Sequence, residues 1–385
     1  MKTEWNYPTS IRFGAGEISE LPNVCKKLGI ERPLLVTDPG IAKLDMIQLA
    51  IDQNSSQGLQ TGLFSQTQPN PISKNVDDGV SFFRAGKFDG IIGWGGGSSI
   101  DTAKAIAFMA GQTSPIWHFE DKGNNWLRAS TKEIPPIIAI PTTSGTGSEV
   151  GRASVITDET KRIKKVIFHP KMMPDFVLCD PVLVTGLPSS LTAFTGMDAI
   201  IHCFEAFCSP TYHPMADGIA LEGLKLASVW LPKAFADGQD IEARGHMMSV
   251  ALMGATAFQK GLGAIHSLSH PVSAIYNTHH GLTNAVFMPY VIKRNYPVIK
   301  DKLRTISAYL NLANKGYVGI IDWVLSLREN FKVPMSAFKL GVKPEDLDRL
   351  SVMAYEDPTI ATNPLPIGIS EIRNLYEDAL NEFNQ

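Results

Sequence analysis

The segment Thr195–Glu205 contains two residues that could bind a metal ion, Asp198 and His202, four positions apart. If the segment is a helix, that spacing places both side chains on one face, one above the other. A carboxylate and an imidazole held in this way can share one divalent cation. The pair therefore predicts half of a metal site, and an ordinary structural pair is the alternative for these two residues alone.

The histidines are unevenly distributed and supply candidates for the rest of such a site. Four of the nine fall between Gly263 and His280, at His266, His270, His279 and His280. A lone histidine is more often a core or surface residue than a ligand. Four within so short a stretch, together with the carboxylate and imidazole described above, indicate a metal centre.

One carboxylate oxygen and three imidazole nitrogens suit Fe²⁺ or Zn²⁺, and such sites also accept Mn²⁺ or Co²⁺. No thiolate takes part, and a further position remains that a substrate could occupy. These features are typical of a catalytic centre rather than a structural one. Cys203 follows His202 directly but lies about 100° around the helix, so we expect it to be a buried thiol.

A glycine-rich turn, Gly95–Ser99, lies between a predicted strand at 90–94 and a predicted helix at 100–107. Glycines let the backbone approach a ligand, and a helix N-terminus favours an anion such as a pyrophosphate. Either Ser98 or Ser99 can cap the helix. The spacing lacks the third glycine of GxGxxG, so a tight turn without a ligand is the alternative.

A second loop of this kind, Pro141–Glu149, follows the predicted strand Ile137–Ile140 and is rich in hydroxyl groups and glycine. Two such loops at strand ends favour a nucleotide over turn geometry alone. Asp38 ends the predicted strand Leu34–Thr37. Its carboxylate could accept from a ribose 2′-hydroxyl and repel a 2′-phosphate, or it could be a simple turn aspartate before Pro39 and Gly40.

The first half of the chain alternates short apolar runs with helical patterns, which predicts a parallel sheet covered by helices. The predicted strands are Leu34–Thr37, Gly62–Ser65, Gly90–Trp94 and Ile137–Ile140, and the predicted helices are Ile41–Gln53 and Asn75–Ala85.

Beyond Asp180 the sequence becomes mostly helical, so we expect an α/β domain over 1–183 and a mainly α domain over 184–385. Prolines at Pro210, Pro232 and Pro334 are expected to mark helix ends. The predicted helices are Ala216–Ala227, Ile241–Phe258, Lys302–Leu312, Gly319–Asn330 and Glu371–Asn384.

Length and composition describe an ordinary soluble protein of two domains: 385 residues, 44% hydrophobic, 19% charged and a net charge of −3. This charge gives no electrostatic case for nucleic acid or an anionic membrane surface. The longest nearly apolar stretch, Met247–Phe258, is well short of the roughly 20 residues that a membrane span needs. Residues 1–10 contain no apolar signal segment, and the four cysteines show no CxxC spacing. We therefore expect the protein in a reducing cytoplasm.

Taken together, these motifs resemble the iron-containing (group III) alcohol dehydrogenase family, over nearly the whole chain. The resemblance is carried by five segments in order: Phe13–Gly16, Gly95–Asp101, Pro141–Glu149, Thr195–Ala199 and Gly263–Pro289. It implies an α/β dinucleotide-binding domain and an all-α metal-binding domain of the dehydroquinate synthase-like fold. It also implies NAD-dependent hydride transfer to or from a small alcohol or aldehyde in a homodimer or higher homo-oligomer. The family architecture serves primary alcohols, diols, lactaldehyde and hydroxybutyrate.

The resemblance also implies roles for individual residues. It places His270 close to the nicotinamide and the substrate without ligating the metal, and His270 is our candidate for the proton relay in hydride transfer. Many relatives have threonine where Gly151 stands, so a cofactor contact made there is in doubt. It implies Fe²⁺ as the expected metal, with Zn²⁺ as the alternative, on Asp198, His202, His266 and His280. It implies NAD contacts from Asp38, Asn70, Gly97, Ser98, Thr142, Thr143, Lys164 and Leu183.

Two other functions remain as alternatives at this point. A lyase resembling dehydroquinate synthase would share the fold, NAD and metal, but it needs a strongly basic pocket for a phosphorylated substrate. No cluster of lysine and arginine accompanies the histidine-rich stretch. A non-catalytic nucleotide- or metal-binding protein is the second alternative, and the intact set of candidate ligands argues against it.

Overall fold

The structure, a computed structural model, describes residues 5–161 and 163–383. The chain forms two compact units. One comprises Tyr7–Thr143 and Gly147–Gly186, and the other contains Ser144–Thr146 and the chain from Leu187 onward. The described residues contain no helix that is long and apolar enough to cross a membrane.

The first unit is built on a six-stranded sheet whose neighbouring strands all run parallel, which confirms the predicted fold class. Its spatial order is β1-β8-β5-β4-β2-β3, and β6 and β7 form a separate antiparallel hairpin. The strands are β1 (Ser10–Phe13), β2 (Pro33–Val36), β3 (Gly62–Phe64), β4 (Gly90–Gly95), β5 (Ile137–Pro141), β6 (Ala153–Asp158), β7 (Ile163–Phe168) and β8 (Phe176–Cys179).

The central strands read as continuous apolar runs because both faces of the sheet are covered. Alternate residues of β2 enter different cores: Leu34 packs in one hydrophobic cluster and Leu35 in another. The same separation holds for Ile91 and Ile92 on β4. The helices of this unit are α1 (Leu21–Lys27), α2 (Asp45–Ser56), α3 (Ser73–Ala85) and α4 (Gly97–Ala110).

The second unit contains helices and no strand among its described residues. One large hydrophobic cluster runs through it, from Ala193 on its first long helix to Ala379 near the end of the chain. The helices are α5 (Ser189–Cys208), α6 (Pro214–Ala236), α7 (Ile241–Ala257), α8 (Ala264–Tyr276), α9 (His280–Tyr309), α10 (Gly316–Asn330), α11 (Leu347–Tyr355) and α12 (Ile369–Leu380).

One expectation about these helices was wrong, and another was confirmed only in part. Pro232 does not end a helix but lies inside α6, and the predicted helix Lys302–Leu312 is the last part of the 30-residue α9, which contains Pro289 and Pro297. A proline inside a helix costs about 3 kcal/mol. Tertiary packing offsets this cost here, since Leu231 and Ala234 beside Pro232 are fully buried.

Candidate metal centre and nucleotide-binding loops

Helix α5 carries Asp198 and His202 on one face, and both side chains are buried. Neighbouring helices approach this face closely because they present glycine to it. A Cβ atom on Gly254 would lie 2.9 Å from the Cβ of His202. A Cβ on Gly281 would overlap the carbonyl oxygen of Phe194 and lie 3.0 Å from the Cβ of Asp198. The start of α9 is therefore held directly against the aspartate.

Three histidine nitrogens converge on the Asp198 carboxylate. The distances from Asp198 Oδ1 to the Nε2 atoms are 4.0 Å for His202, 3.9 Å for His266 and 3.6 Å for His280. The candidate ligand atoms of Asp198, His202 and His266 all lie within 4.8 Å of one another. The helices α8 and α9 supply His266 and His280, and the turn between them includes Asn277 in the left-handed conformation, with φ of 52°.

These separations fit a first-row divalent cation. A tetrahedral site with metal–ligand bonds of about 2.1 Å has ligand atoms roughly 3.4 Å apart. The observed distances are slightly longer, and the donors are one carboxylate oxygen and imidazole nitrogens, the set that Fe²⁺ and Zn²⁺ accept. The residues present therefore fit the metal that the sequence indicates.

The surroundings of two imidazoles shift their pKa values in opposite directions. Burial lowers the pKa of His202 to about 4, so its ring is neutral at pH 7 and offers a lone pair. The Nδ1 atom of His266 lies 2.6 Å from Glu205 Oε2. Burial acts to lower the pKa of His266, but the hydrogen bond and charge of Glu205 outweigh it and raise that pKa. The Glu205 carboxylate holds the proton on Nδ1, so Nε2 is the ring nitrogen that faces Asp198.

Glu205 also fixes the helix that carries His266. Its carboxylate accepts hydrogen bonds from the backbone N–H groups of Gly263 and Ile265, at 3.1 and 2.7 Å. These groups lie at the N-cap and in the first turn of α8, where backbone donors lack partners within the helix. One buried carboxylate therefore sets both the position of α8 and the orientation of the His266 ring.

His270 lies one turn after His266 and beside the cluster. Its ring stacks on that of His280, with centroids 5.1 Å apart and planes 19° apart. Its Nδ1 atom lies 2.7 Å from Asp357 Oδ2. Burial acts to raise the pKa of Asp357, but the charge and hydrogen bond of His270 more than offset this and lower it. The neighbouring His279 is half-buried, and its ring contacts Phe194.

Three residues of this site were not proposed from the sequence: Glu205, Asn284 and Asp357. Two of them had a readable signal, because Glu205 continues the face of Asp198 seven residues later and Asn284 follows His280 by four. Asp357 is 87 residues from His270, and no local pattern connects them.

In the first unit, the glycine-rich turn differs in detail from its prediction. Helix α4 begins at Gly97, with Gly96 as its N-cap and no capping side chain, so the expectation that Ser98 or Ser99 caps it was wrong. Ser98 lies in the first helical turn and donates its hydroxyl to the Pro69 carbonyl at 2.5 Å. That hydrogen bond holds the loop before Asn70 against the start of α4.

The second loop lies beside the first because β4 and β5 are parallel neighbours in register, with Gly95 opposite Pro141. The Thr142 N–H donates to the Gly95 carbonyl at 3.0 Å. A Cβ on Gly96 would lie 3.3 Å from Thr143 Cγ2. Thr142 and Thr143 therefore lie at the same sheet edge as the start of α4.

The remaining candidate nucleotide contacts are distributed around the same unit. Lys164 pairs with Thr157 across the β6–β7 hairpin, and Thr157 donates its N–H to the carbonyl of Pro71 at 2.7 Å, next to Asn70. Leu183 follows β8 and packs against the core of the sheet.

Asp38 has the turn role that was left open as an alternative. Its Oδ1 accepts from the N–H groups of Gly40 and Ile41 at 2.8 and 3.0 Å. Its predicted contact with a ribose hydroxyl stays a prediction.

Comparisons with known proteins agree over both units. The family model "Iron-containing alcohol dehydrogenase" matches residues 8–181, and the model "Fe-containing alcohol dehydrogenase family, C-terminal" matches residues 192–380. The 4-hydroxybutyrate dehydrogenase of Cupriavidus necator is 38% identical over 384 residues, covering 97% of this chain and 99% of that protein. The NAD-dependent methanol dehydrogenase of Bacillus methanolicus is 32% identical, covering 98% and 100%. A crystal structure of a 1,3-propanediol oxidoreductase superimposes with a TM-score of 0.93 at 30% identity, covering 98% of this chain and 100% of that one.

Proposed function

We propose that this chain is an NAD-dependent dehydrogenase of small primary alcohols. The proposal starts from the family: the chain belongs to the iron-containing alcohol dehydrogenase family and is a metal-dependent alcohol oxidoreductase. The observation that carries the proposal is the convergence of one carboxylate and three imidazoles on a single point. The proposed metal ligands are Asp198, His202, His266 and His280.

The proposed substrate class follows from the chemistry that the relatives' names share. 4-Hydroxybutyrate, methanol, 1,3-propanediol and choline each carry a primary alcohol. The product of oxidation is then an aldehyde, and the reverse reaction reduces that aldehyde. A divalent cation, with Fe²⁺ as the native metal that we propose, supplies Lewis-acid polarisation of the alcohol or carbonyl oxygen, and the nicotinamide supplies hydride chemistry.

The residues around the centre orient its reacting groups. Glu205 holds the His266 ring so that Nε2 faces the cluster. Asp357 holds the Nδ1 side of His270, so its Nε2 is the ring atom left to accept or return the proton of the alcohol group. His270 is therefore our candidate for the proton relay.

We propose that the first unit binds NAD through the two loops at the ends of β4 and β5. The N-terminus of α4 takes the pyrophosphate. Asn70, Ser98, Thr142 and Thr143 line the same edge, and Lys164 lies on the adjacent hairpin. Asp38 places a negative charge at the end of β2, which disfavours the 2′-phosphate of NADP.

We also propose that the enzyme is a cytoplasmic homo-oligomer. All four cysteines are free and buried, as suits a reducing compartment. Size-exclusion chromatography with light scattering measures the assembly state directly, and a monomer would contradict this part of the proposal.

The decisive experiment is a panel of primary alcohols and aldehydes, tested with NAD(H) and NADP(H) on metal-free protein reloaded with Fe²⁺ or Zn²⁺. We expect activity that depends on metal and prefers NAD. His266→Ala should lose bound metal and activity together, because it removes a ligand whose Nε2 faces the cluster. Full activity of metal-free His266→Ala would overturn the proposed metal centre, and His118→Ala in the first unit is a matched control.

A further inference from the structure

The side chain of Asn284 occupies the middle of the ligand cluster. Its Nδ2 atom donates to Asp198 Oδ1 at 2.8 Å and lies 3.1 Å from His280 Nε2 and 3.3 Å from His266 Nε2. The side chain is fully buried, and its Oδ1 atom has no hydrogen-bond partner among the described residues. The nitrogen end of the amide therefore meets one carboxylate oxygen and two imidazole nitrogens, whereas the oxygen end meets no partner in the part of the chain that the structure describes.

An orphaned buried carbonyl oxygen is unfavourable, since it loses its hydrogen bonds to water without replacement. Here the cost is tolerated because the two N–H bonds of the amide lie among three atoms whose lone pairs would otherwise face one another. These lone pairs belong to Asp198, His266 and His280, all proposed metal ligands. The NH₂ group thus takes the place of a positive charge between them.

A divalent cation bound to the same three atoms would lie about 2.1 Å from each, in the region toward which Nδ2 points. The hydrogens of the NH₂ group carry partial positive charge, so the cation repels them and attracts the carbonyl oxygen. Rotation by about 180° about the Cβ–Cγ bond exchanges nitrogen and oxygen with little change in shape. Such a rotation relieves the repulsion and gives the orphaned Oδ1 a partner.

The backbone at this position leaves little room for another response. Gly281 holds the start of α9 against Phe194 and Asp198, and Asn284 lies one turn further on the same helix. Rotation of the side chain is therefore the smallest movement that accommodates a cation.

We propose that Asn284 is a positioning residue of the metal centre with two amide orientations. Without a cation, its NH₂ group faces inward and keeps Asp198, His266 and His280 assembled. With a cation bound, Oδ1 faces inward and provides an additional oxygen contact. This inference rests on the proposed metal site and adds a residue to it.

The first test measures the dissociation constant of Zn²⁺ by competition with a fluorescent chelator. Asn284→Leu removes the oxygen at similar volume, and we expect it to weaken Zn²⁺ binding by about 10- to 100-fold. Unchanged or tighter binding by a folded Asn284→Leu protein would overturn the inference. Asn54→Leu is the matched control, because Asn54 is also fully buried with an orphaned Oδ1 but belongs to the first unit.

The second test uses the unaltered protein, so it does not depend on the folding of the leucine variant. The side-chain NH₂ resonances of ¹⁵N-labelled asparagine are recorded with and without Zn²⁺, and Asn284→Asp identifies the pair that belongs to Asn284. We expect this pair to shift and to lose its nuclear Overhauser contacts with the His266 and His280 rings. Contacts that persist in the Zn²⁺-loaded protein would overturn the inference, whereas failure of the unaltered protein to bind Zn²⁺ would overturn the metal site itself.

Discussion

Glu205 and Asp357 each hold the Nδ1 atom of one histidine, and the two carboxylates serve different purposes. Glu205 lies on the α5 face that already carries two candidate ligands, and it orients a third. Asp357 comes from a distant part of the chain and orients His270, our candidate for the proton relay. Loss of each carboxylate should therefore affect a different measurable property.

Asp357→Asn tests this difference. We expect kcat to fall roughly 10- to 100-fold while metal content and the dissociation constant of Zn²⁺ remain unchanged, since general acid–base contributions of 10²–10⁴ depend on correct ring orientation. An amide in place of the carboxylate can donate to Nδ1 and thereby favour the wrong tautomer. Metal content by elemental analysis and steady-state kinetics make the comparison, and loss of metal would show that Asp357 supports the cluster instead.

The site also shows which features a sequence can reveal. Asp198, His202 and Glu205 follow the repeat of one helix, and His280 and Asn284 follow that of another, so their shared faces are readable. Which faces meet depends on how the helices pack. The helices pack closely against α5 at Gly254 and Gly281, and the spacing of the candidate ligands in the sequence does not indicate these contacts.

At the scale of elements, the start of α9 is the part of the site least tolerant of added volume. Gly281 lies where any Cβ would overlap the Phe194 carbonyl oxygen, and this backbone atom cannot rotate away. Alanine there would displace α9 from α5, and His280 would move with it.

We therefore expect Gly281→Ala to weaken Zn²⁺ binding at least tenfold and to lower the melting temperature, as overpacking typically costs 1–3 kcal/mol. Gly218→Ala is the control, because a Cβ at that helical position in α6 meets no atom within 4 Å. Alanine is favoured over glycine in helices, so the control should be neutral or stabilising. Equal effects of both substitutions would contradict this account.

The elements themselves were predictable to different degrees. Strands of the parallel sheet were readable because strands buried on both faces appear as short apolar runs bounded by turn residues. Helix α9 was only partly recognised because Pro289 and Pro297 lie inside it, and tertiary contacts override their local preference. The prediction that Ser98 or Ser99 caps α4 was wrong because the helix begins earlier, at Gly97, and Gly96 occupies the N-cap position.

At the scale of the whole molecule, one buried carboxyl group should make stability depend on pH. Glu149 lies in the loop after β5, and its burial raises its pKa to about 7 although Lys104 and backbone hydrogen bonding lower it in part. The unfolded chain ionises this group near its ordinary pKa of 4.5. The folded protein therefore loses stability relative to the unfolded chain as pH rises from 4.5 to 7.

Glu149→Gln removes this dependence, and we expect it to raise the free energy of unfolding above pH 7 by about 3 kcal/mol relative to its effect below pH 4.5. Chemical denaturation at several pH values makes the measurement. Glu159→Gln, at an exposed position, controls for the loss of one negative charge. Parallel pH profiles for Glu149→Gln and the unaltered protein would contradict the raised pKa.

The short segment Ser144–Thr146 belongs to the helical unit although the residues on both sides belong to the first unit. A Cβ on Gly145 would lie 2.8 Å from the Cβ of Thr195 on α5, so the segment packs tightly within its unit. A chimera of two related proteins that is joined once, near Leu187, would therefore combine segment 144–146 from one parent with α5 from the other. Recombination between the genes of such relatives should succeed when 144–146 and 187–385 are inherited from the same parent.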